Sequence, residues 1–189
     1  MPTERFWNVP NALTLGRLAL SFVAFALIAL ERPFAALVVF AIAALTDALD
    51  GYFARLLQQT SALGRQLDPL VDKVMVAGCY IYLLKLPESR TGLAAWMIAG
   101  IVVRELIIQA VRSLIEGRGE PFGARWSGKF KTLLQCLSIG AILFCLSFPV
   151  PNYLVWTRDA LTWSAVGLTL YSGAEYLALA WPKLRGEMS

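Results

Sequence analysis

Six apolar runs, each long enough as a helix to cross a bilayer, constrain the fold of this chain more than any other feature. A membrane-spanning helix needs about 20 apolar residues, and these runs lack the period of two that barrel strands show. The runs are Ala12–Leu30, Phe34–Leu56, Pro69–Leu86, Leu93–Ile115, Phe130–Phe148 and Tyr153–Trp181. Only 16% of the residues are charged, against about 25% in soluble domains. We therefore predict an all-α integral membrane protein with six transmembrane helices, in one membrane domain that covers residues 1–189.

The distribution of Lys and Arg predicts the orientation. Of the 17 basic residues, ten fall on the side that would hold both termini, and four fall on the opposite side. Cytoplasmic loops carry an excess of Lys and Arg, so we expect both termini in the cytoplasm. The chain has no histidine, which leaves a carboxylate, Lys, Tyr or Cys as a general base.

Four aspartates lie in one short polar window between apolar runs, TDALDGYFARLLQQTSALGRQLDPLVDKV. Asp47 and Asp50 are three residues apart near the end of the second run, and Asp68 and Asp72 are four apart at the start of the third. Both spacings put a pair on one face of a helix. Because the two helices would be joined by a short connection, we expect the pairs to face each other.

Carboxylates this close repel one another and need compensating charge. An oxygen-only site without His or Cys suits hard divalent cations, and two such ions would balance four negative charges. Two metals about 4 Å apart form the usual clamp for displacement at phosphorus. The alternative is a set of interfacial carboxylates paired with nearby cations such as Lys73 and Arg55.

The full string, D-x2-D-G-x2-A-R-x8-G-x3-D-x3-D, runs from Asp47 to Asp72 and resembles the signature of the CDP-alcohol phosphotransferases, which are membrane enzymes of phospholipid synthesis. The resemblance implies that the four aspartates hold two Mg²⁺ or Mn²⁺ ions and that Asp72 is also the catalytic base. It implies that Asp47, Gly51, Ala54 and Arg55 bind the CDP part of the donor. It further implies a bacterial inner-membrane homodimer with its active site facing the cytoplasm, membrane lipids as surroundings and no nucleic-acid partner.

The region between the fourth and fifth runs indicates which residues bind the acceptor substrate. Glycines and cations are concentrated there, and SGKFKT at 127–132 opens the fifth helix. Backbone N–H groups and a helix N-terminus favour a phosphate. The predicted acceptor-phosphate residues are Arg104, Arg112, Ser127, Lys129 and Lys131.

Together with PNALTLGR at 10–17 and VRE at 103–105, GKFKT at 128–132 resembles the branch of the family that uses CDP-diacylglycerol and glycerol 3-phosphate. A phosphomonoester of charge about −2 calls for several cations, and the two lysines favour it. Phosphatidylglycerol, as in the cardiolipin synthase branch, and an inositol phosphate are the alternative acceptors. A small cation transporter is the non-enzyme alternative, although the acids gather at one side of the membrane.

Four further charged side chains lie within the apolar runs and have open roles. Arg104 would contact the acceptor phosphate or brace a carboxylate, and its neighbour Glu105 need not pair with it. Arg17 would approach the donor diphosphate or extend to the interface. Glu175 is expected to form a hydrogen bond to another helix.

Overall fold

Helices make up the described part of the chain. The computed structural model describes the backbone of residues 9–57, 62–117 and 126–185, and the side chains of residues 12–46, 69–117, 126–128 and 130–183. In chain order the helices are α1 (Val9–Ala29), α2 (Pro33–Leu57), α3 (Ala62–Leu83), α4 (Glu88–Thr91), α5 (Ala95–Glu116), α6 (Trp126–Ser147) and α7 (Asn152–Arg185). No strand occurs within these ranges, which confirms the all-α class.

Six of these helices are long, and each overlaps most of one predicted apolar span. Among the described residues, Ala12–Ala29 and Trp126–Ser147 are long and apolar enough to cross a membrane, and Pro33–Thr46 is a shorter apolar stretch. The number of crossings and the side on which the termini lie stay predictions.

Three helices extend beyond the apolar runs that predicted them. Helix α3 begins at Ala62 and continues through Pro69, where the predicted span began. Helix α6 begins at Trp126, and α7 continues through Pro182 to Arg185. Hydropathy cannot detect these additional turns because they are polar. Proline inside a helix loses its N–H bond and crowds the carbonyl four residues earlier, at a cost of about 3 kcal/mol, yet α3 and α7 both continue through it.

The ERP sequence at 31–33 forms a tight connection between α1 and α2. Glu31 adopts the left-handed conformation, with φ 53°. Its N–H donates to the carbonyl of Ile28, and the N–H of Arg32 donates to the carbonyl of Leu27, the two bonds of a Schellman cap. Pro33 then occupies the first position of α2, where a missing N–H costs no helical bond. The two helices are therefore antiparallel neighbours.

Helix α1 packs against both aspartate-bearing helices, α2 and α3. Its contact with α3 is close because Gly78 has no side chain: a Cβ there would lie 2.1 Å from Cζ of Phe25. Small residues at such points let helices in membranes approach through van der Waals packing. Cys79, next to Gly78, is fully buried and packs as a small core residue. This packing fixes the end of α1 beside the second half of α3.

Buried polar pairs join α6 to α7. Gln135 Nε2 donates to Thr169 Oγ1 at 2.9 Å, and Ser138 Oγ lies 2.8 Å from Thr162 Oγ1. Interhelical hydrogen bonds of this kind hold helices together in a membrane at roughly 0.6 kcal/mol each. Lys131 lies one turn before Gln135 on the same face of α6. The pairs therefore hold Lys131 toward the space between α3, α5 and α7.

Candidate active site

The four aspartates lie on two consecutive helices. Asp47 and Asp50 belong to the last turns of α2, and Asp68 and Asp72 belong to α3. The helical backbone therefore gives each pair the shared face that its spacing predicts. The side chains of Asp47, Asp50 and Asp68 lie outside the described residues. Among the described side chains no group of three or more His, Cys, Asp or Glu residues could hold a metal ion.

Asp72 forms an ion pair with Arg17 of α1. Arg17 Nη1 donates to Asp72 Oδ1 at 2.6 Å, and the two side chains are 1% and 33% exposed. Arg17 is therefore a buried partner of this carboxylate within the packed helices. The packing of α1 on α3 therefore places a fixed cation, Arg17, beside the predicted base, Asp72.

A cavity of about 390 Å³ opens beside Asp72, between α3, α5, α6 and α7. Its lining combines apolar side chains, such as Val76, Ile101 and Ile108, with a set of charged ones. The charged lining residues are Asp72, Lys73, Arg104, Glu105, Arg112 and Lys131. Four cations and two carboxylates give the lining a net formal charge of +2. Such a cavity suits an anion that also carries carbon atoms.

Arg104 is held in the wall of this cavity by contacts from α7. Its Nη2 donates to Ser172 Oγ at 2.9 Å, and its guanidinium carbon lies 5.8 Å from the centre of the Tyr176 ring. Gly173 makes room for it, since a Cβ there would lie 2.8 Å from Arg104 Cγ. Arg104 is 8% exposed, and its Nε has no hydrogen-bond partner in the part of the chain that the structure describes.

Glu105 lies between two cations. Its Oε1 accepts hydrogen bonds from Arg104 Nη1 at 3.1 Å and from Lys131 Nζ. All three side chains are nearly buried, between 8% and 11% exposed. Arg104 and Glu105 are adjacent in the chain, yet their long side chains converge. Arg104 therefore braces a carboxylate and also lines the cavity, so the two roles expected for it coexist.

The other two cations of the lining have partners on α5. Lys73 Nζ donates to Gln109 Oε1, which also lines the cavity. Arg112 Nε donates to Glu116 Oε1 at 2.7 Å, in an exposed pair one turn apart. Exposed pairs of this kind contribute little to stability, so Arg112 is easily available to a ligand.

The structure brings three predicted acceptor residues, Arg104, Arg112 and Lys131, to one cavity. Ser127 is elsewhere: its hydroxyl donates to Glu175 Oε2 at 2.6 Å and it does not line the cavity. That bond joins α6 to α7 and is the interhelical hydrogen bond expected of Glu175. The side chain of Lys129 lies outside the described residues, as do those of the predicted donor residues Ala54 and Arg55, and nothing is described around Gly51 beyond its place in α2.

Several lining residues have no place in the predicted site. Lys73 was considered only as a partner of the aspartates in the alternative to a metal site, and in the structure it donates to Gln109. Tyr176 and Gln135 also line the cavity. The one signal in the sequence is spacing: Glu105, Gln109 and Arg112 recur at helical intervals on one face of α5.

Comparison with known proteins identifies a family. The family model of CDP-alcohol phosphatidyltransferase matches residues 7–171. A protein of Bacillus subtilis, strain 168, is 32% identical over 95% of this chain and 98% of its own length. A protein of Pseudomonas fluorescens is 36% identical over 94% of this chain and 92% of its own length. A protein of Escherichia coli K12 is 34% identical over 92% of this chain and 95% of its own length. All three are named CDP-diacylglycerol–glycerol-3-phosphate 3-phosphatidyltransferase.

Proposed function

The chain belongs to the CDP-alcohol phosphatidyltransferase family, and we propose that it transfers the phosphatidyl group of CDP-diacylglycerol to glycerol 3-phosphate, with release of CMP. It is an enzyme of this class. The relatives support the choice of substrates, because their names state this reaction and their lengths match the chain nearly end to end. The two apolar helices and the family together indicate a membrane protein.

The charge of the cavity beside Asp72 supports the choice of glycerol 3-phosphate as the acceptor. A phosphomonoester has a charge of about −2 near neutral pH, which would neutralise a lining of net charge +2. Arginine and lysine bind such a group through charge-assisted hydrogen bonds. Phosphatidylglycerol would bring a diester of charge −1, which would leave the lining with an uncompensated positive charge. The charge therefore favours the more highly charged acceptor.

The aspartates are proposed to hold two divalent ions, Mg²⁺ or Mn²⁺. The donor set fits hard cations, because it is made of oxygen alone and each pair shares a face of a described helix. Asp47, Asp50, Asp68 and Asp72 would be the ligands. When bound, the ions would offset the charge that develops on the departing CMP.

The remaining steps are proposed for side chains of the chain itself. Asp72 Oδ atoms take the proton of the acceptor hydroxyl, and Arg17 holds that carboxylate in place from α1. Arg104, Arg112 and Lys131, which line the same cavity as Asp72, hold the acceptor phosphate. Asp47, Gly51, Ala54 and Arg55 bind the CDP group on the α2 side. Attack of the hydroxyl oxygen on the lipid-bearing phosphorus then forms phosphatidylglycerol phosphate.

The proposed setting is the inner membrane of a bacterium. Six helices cross it, both termini and the active site face the cytoplasm, and two copies form a homodimer. The excess of Lys and Arg on one side supports this orientation.

Purified protein tests the proposal directly. It is incubated with CDP-diacylglycerol and Mg²⁺, and glycerol 3-phosphate, phosphatidylglycerol and an inositol phosphate are offered separately. We expect CMP and phosphatidylglycerol phosphate with the first acceptor only, as separated by thin-layer chromatography. Cardiolipin as the main product would contradict the proposal, and CMP release that does not depend on any acceptor would contradict phosphatidyl transfer itself.

A further inference from the structure

We propose that Glu105 is a specificity-determining residue that occupies the place of the acceptor phosphate while the cavity is empty. Its carboxylate is an internal competitor for Lys131, so that only a more highly charged anion displaces it. This inference rests on the proposed function, since it assigns a role within the acceptor cavity.

The contacts of Glu105 are those that a bound phosphate oxygen would make. One oxygen, Oε1, accepts from both Arg104 and Lys131, the two most deeply buried cations of the lining. Each of these residues lines the same cavity as Glu105. A carboxylate and a phosphate both accept hydrogen bonds from such donors, so the two anions compete for the same donors.

The two cations differ in how firmly they are held without Glu105. Arg104 keeps its hydrogen bond to Ser172, its contact with Tyr176 and its fit against Gly173. Lys131 is attached by a flexible four-carbon chain, and its ammonium has three donors. Displacement of Glu105 would therefore leave Arg104 in position and release Lys131 toward the ligand.

Charge sets the direction of the effect. With Glu105 ionised the lining has a net charge of +2, and a neutral side chain at position 105 would raise it to +3. The two possible roles of Glu105, as a competitor of phosphate and as a brace for Arg104 and Lys131, predict opposite effects on anion binding. If Glu105 competes with phosphate, removing its charge strengthens anion binding. If Glu105 only braces Arg104 and Lys131, removing its charge disorders them and weakens anion binding.

Titration of the full-length protein in detergent with inorganic phosphate separates the two roles. The variants are Glu105→Gln, which keeps the size and an acceptor oxygen, and Glu88→Gln as the control, an exposed carboxylate of α4 outside the cavity lining. We expect Glu105→Gln to bind phosphate about 10-fold more tightly than the parent, and Glu88→Gln to stay within about twofold. Equal or weaker binding by Glu105→Gln, including no detectable binding by either protein, would overturn the inference.

Two further variants complete the test. In a Lys131→Gln background the gain from Glu105→Gln should disappear, because the released donor is absent; a gain that persists would overturn the role of Lys131. Glu105→Asp shortens the reach by one methylene group and should give a smaller gain of the same sign. It therefore decides the question if Glu105→Gln does not fold, and weaker binding by it overturns the inference.

The titration is independent of turnover. A parent protein that transfers the phosphatidyl group to another acceptor would contradict the proposed function, whereas the response of phosphate affinity to Glu105→Gln decides the role of Glu105.

Discussion

Arg17 Nη1 lies 2.6 Å from Asp72 Oδ1, so a buried cation of the first helix is fixed to the proposed base on the third. The pair links the PNALTLGR segment to the aspartate motif, and its two residues are 55 positions apart in the chain. An arginine that is 1% exposed cannot follow a moving carboxylate into solvent. Its position therefore limits where the Asp72 oxygens can lie relative to the acceptor hydroxyl.

Arg17→Met should consequently lower kcat more than it raises either KM. Loss of a hydrogen bond between charged groups costs about 1.5–3 kcal/mol, which corresponds to roughly 10- to 150-fold in rate. Steady-state kinetics with varied donor and varied acceptor would measure the two effects separately. Arg17→Lys, which keeps a donor, should recover part of kcat.

A merely structural role for Arg17 predicts a different pattern. Arg17→Met would then lower the thermal midpoint and the amount of folded protein, while kcat per folded molecule stayed near that of the parent. That result would contradict the positioning of Asp72 by Arg17.

Asp50→Asn tests the proposed metal site. Removing one carboxylate from a four-aspartate cluster unbalances its charge, so binding of Mn²⁺ should weaken by at least about 10-fold and turnover should be lost. Titration of the protein with Mn²⁺ measures the first effect without any substrate. Asp47→Asn and Asp68→Asn should behave alike, whereas Asp72→Asn should lose turnover more completely than donor binding.

Glu88→Gln is the control for these variants, because Glu88 is an exposed carboxylate in the short helix α4. It should leave Mn²⁺ binding unchanged. Near-normal turnover of Asp50→Asn in saturating Mg²⁺ would refute the two-metal proposal.

The sequence predicts the long helices well because each one contains a long apolar run. It predicts their ends poorly. Ala62–Asp68 and Trp126–Lys129 continue helices in polar sequence, where neither an apolar run nor a strong breaker marks the boundary. Pro69 looks like a start signal, yet α3 is already helical there.

The acceptor cavity could be predicted only in part, for a related reason. Arg104, Arg112 and Lys131 are rare charges in apolar surroundings, which is a local signal that the sequence displays. The contributions of Ser172, Gly173 and Tyr176 depend on how α7 packs against α5, between residues far apart in the chain. Nothing local in α7 distinguishes these three from its other small and aromatic residues.

Lys131→Gln should raise the KM for glycerol 3-phosphate and leave the donor KM nearly unchanged. The loss of one charge-assisted bond to phosphate costs about 1.5–3 kcal/mol, or roughly 10- to 150-fold in acceptor kcat/KM. Lys129→Gln is made separately and together with it, because positions 129 and 131 do not share a face of α6. We expect the double variant to show at least the effect of Lys131→Gln.

Lys85→Gln is the matched control. Lys85 is exposed outside the cavity lining, where it donates to the carbonyl of Ala29 at 2.9 Å. It should change neither KM. If the double variant at 129 and 131 used glycerol 3-phosphate as well as the parent does, these lysines would not hold the acceptor phosphate, and the choice of this acceptor would lose its main physical support.

Gly173→Ala tests whether the cavity depends on the fit of α7 against Arg104. The added Cβ would lie 2.8 Å from Arg104 Cγ and 3.3 Å from its Nε, too close for either atom to stay in place. Cγ is near the root of the side chain, so the whole guanidinium must shift away from Ser172. Overpacking of this kind costs about 1–3 kcal/mol. We expect the acceptor KM to rise about 10-fold, with the donor KM unchanged.

Gly167→Ala, on the same helix with nothing within 4 Å of the added Cβ, should keep both KM values and gain up to about 1 kcal/mol of helix stability. Equal kinetics for the two variants would show that Arg104 does not hold the acceptor in the position proposed for it.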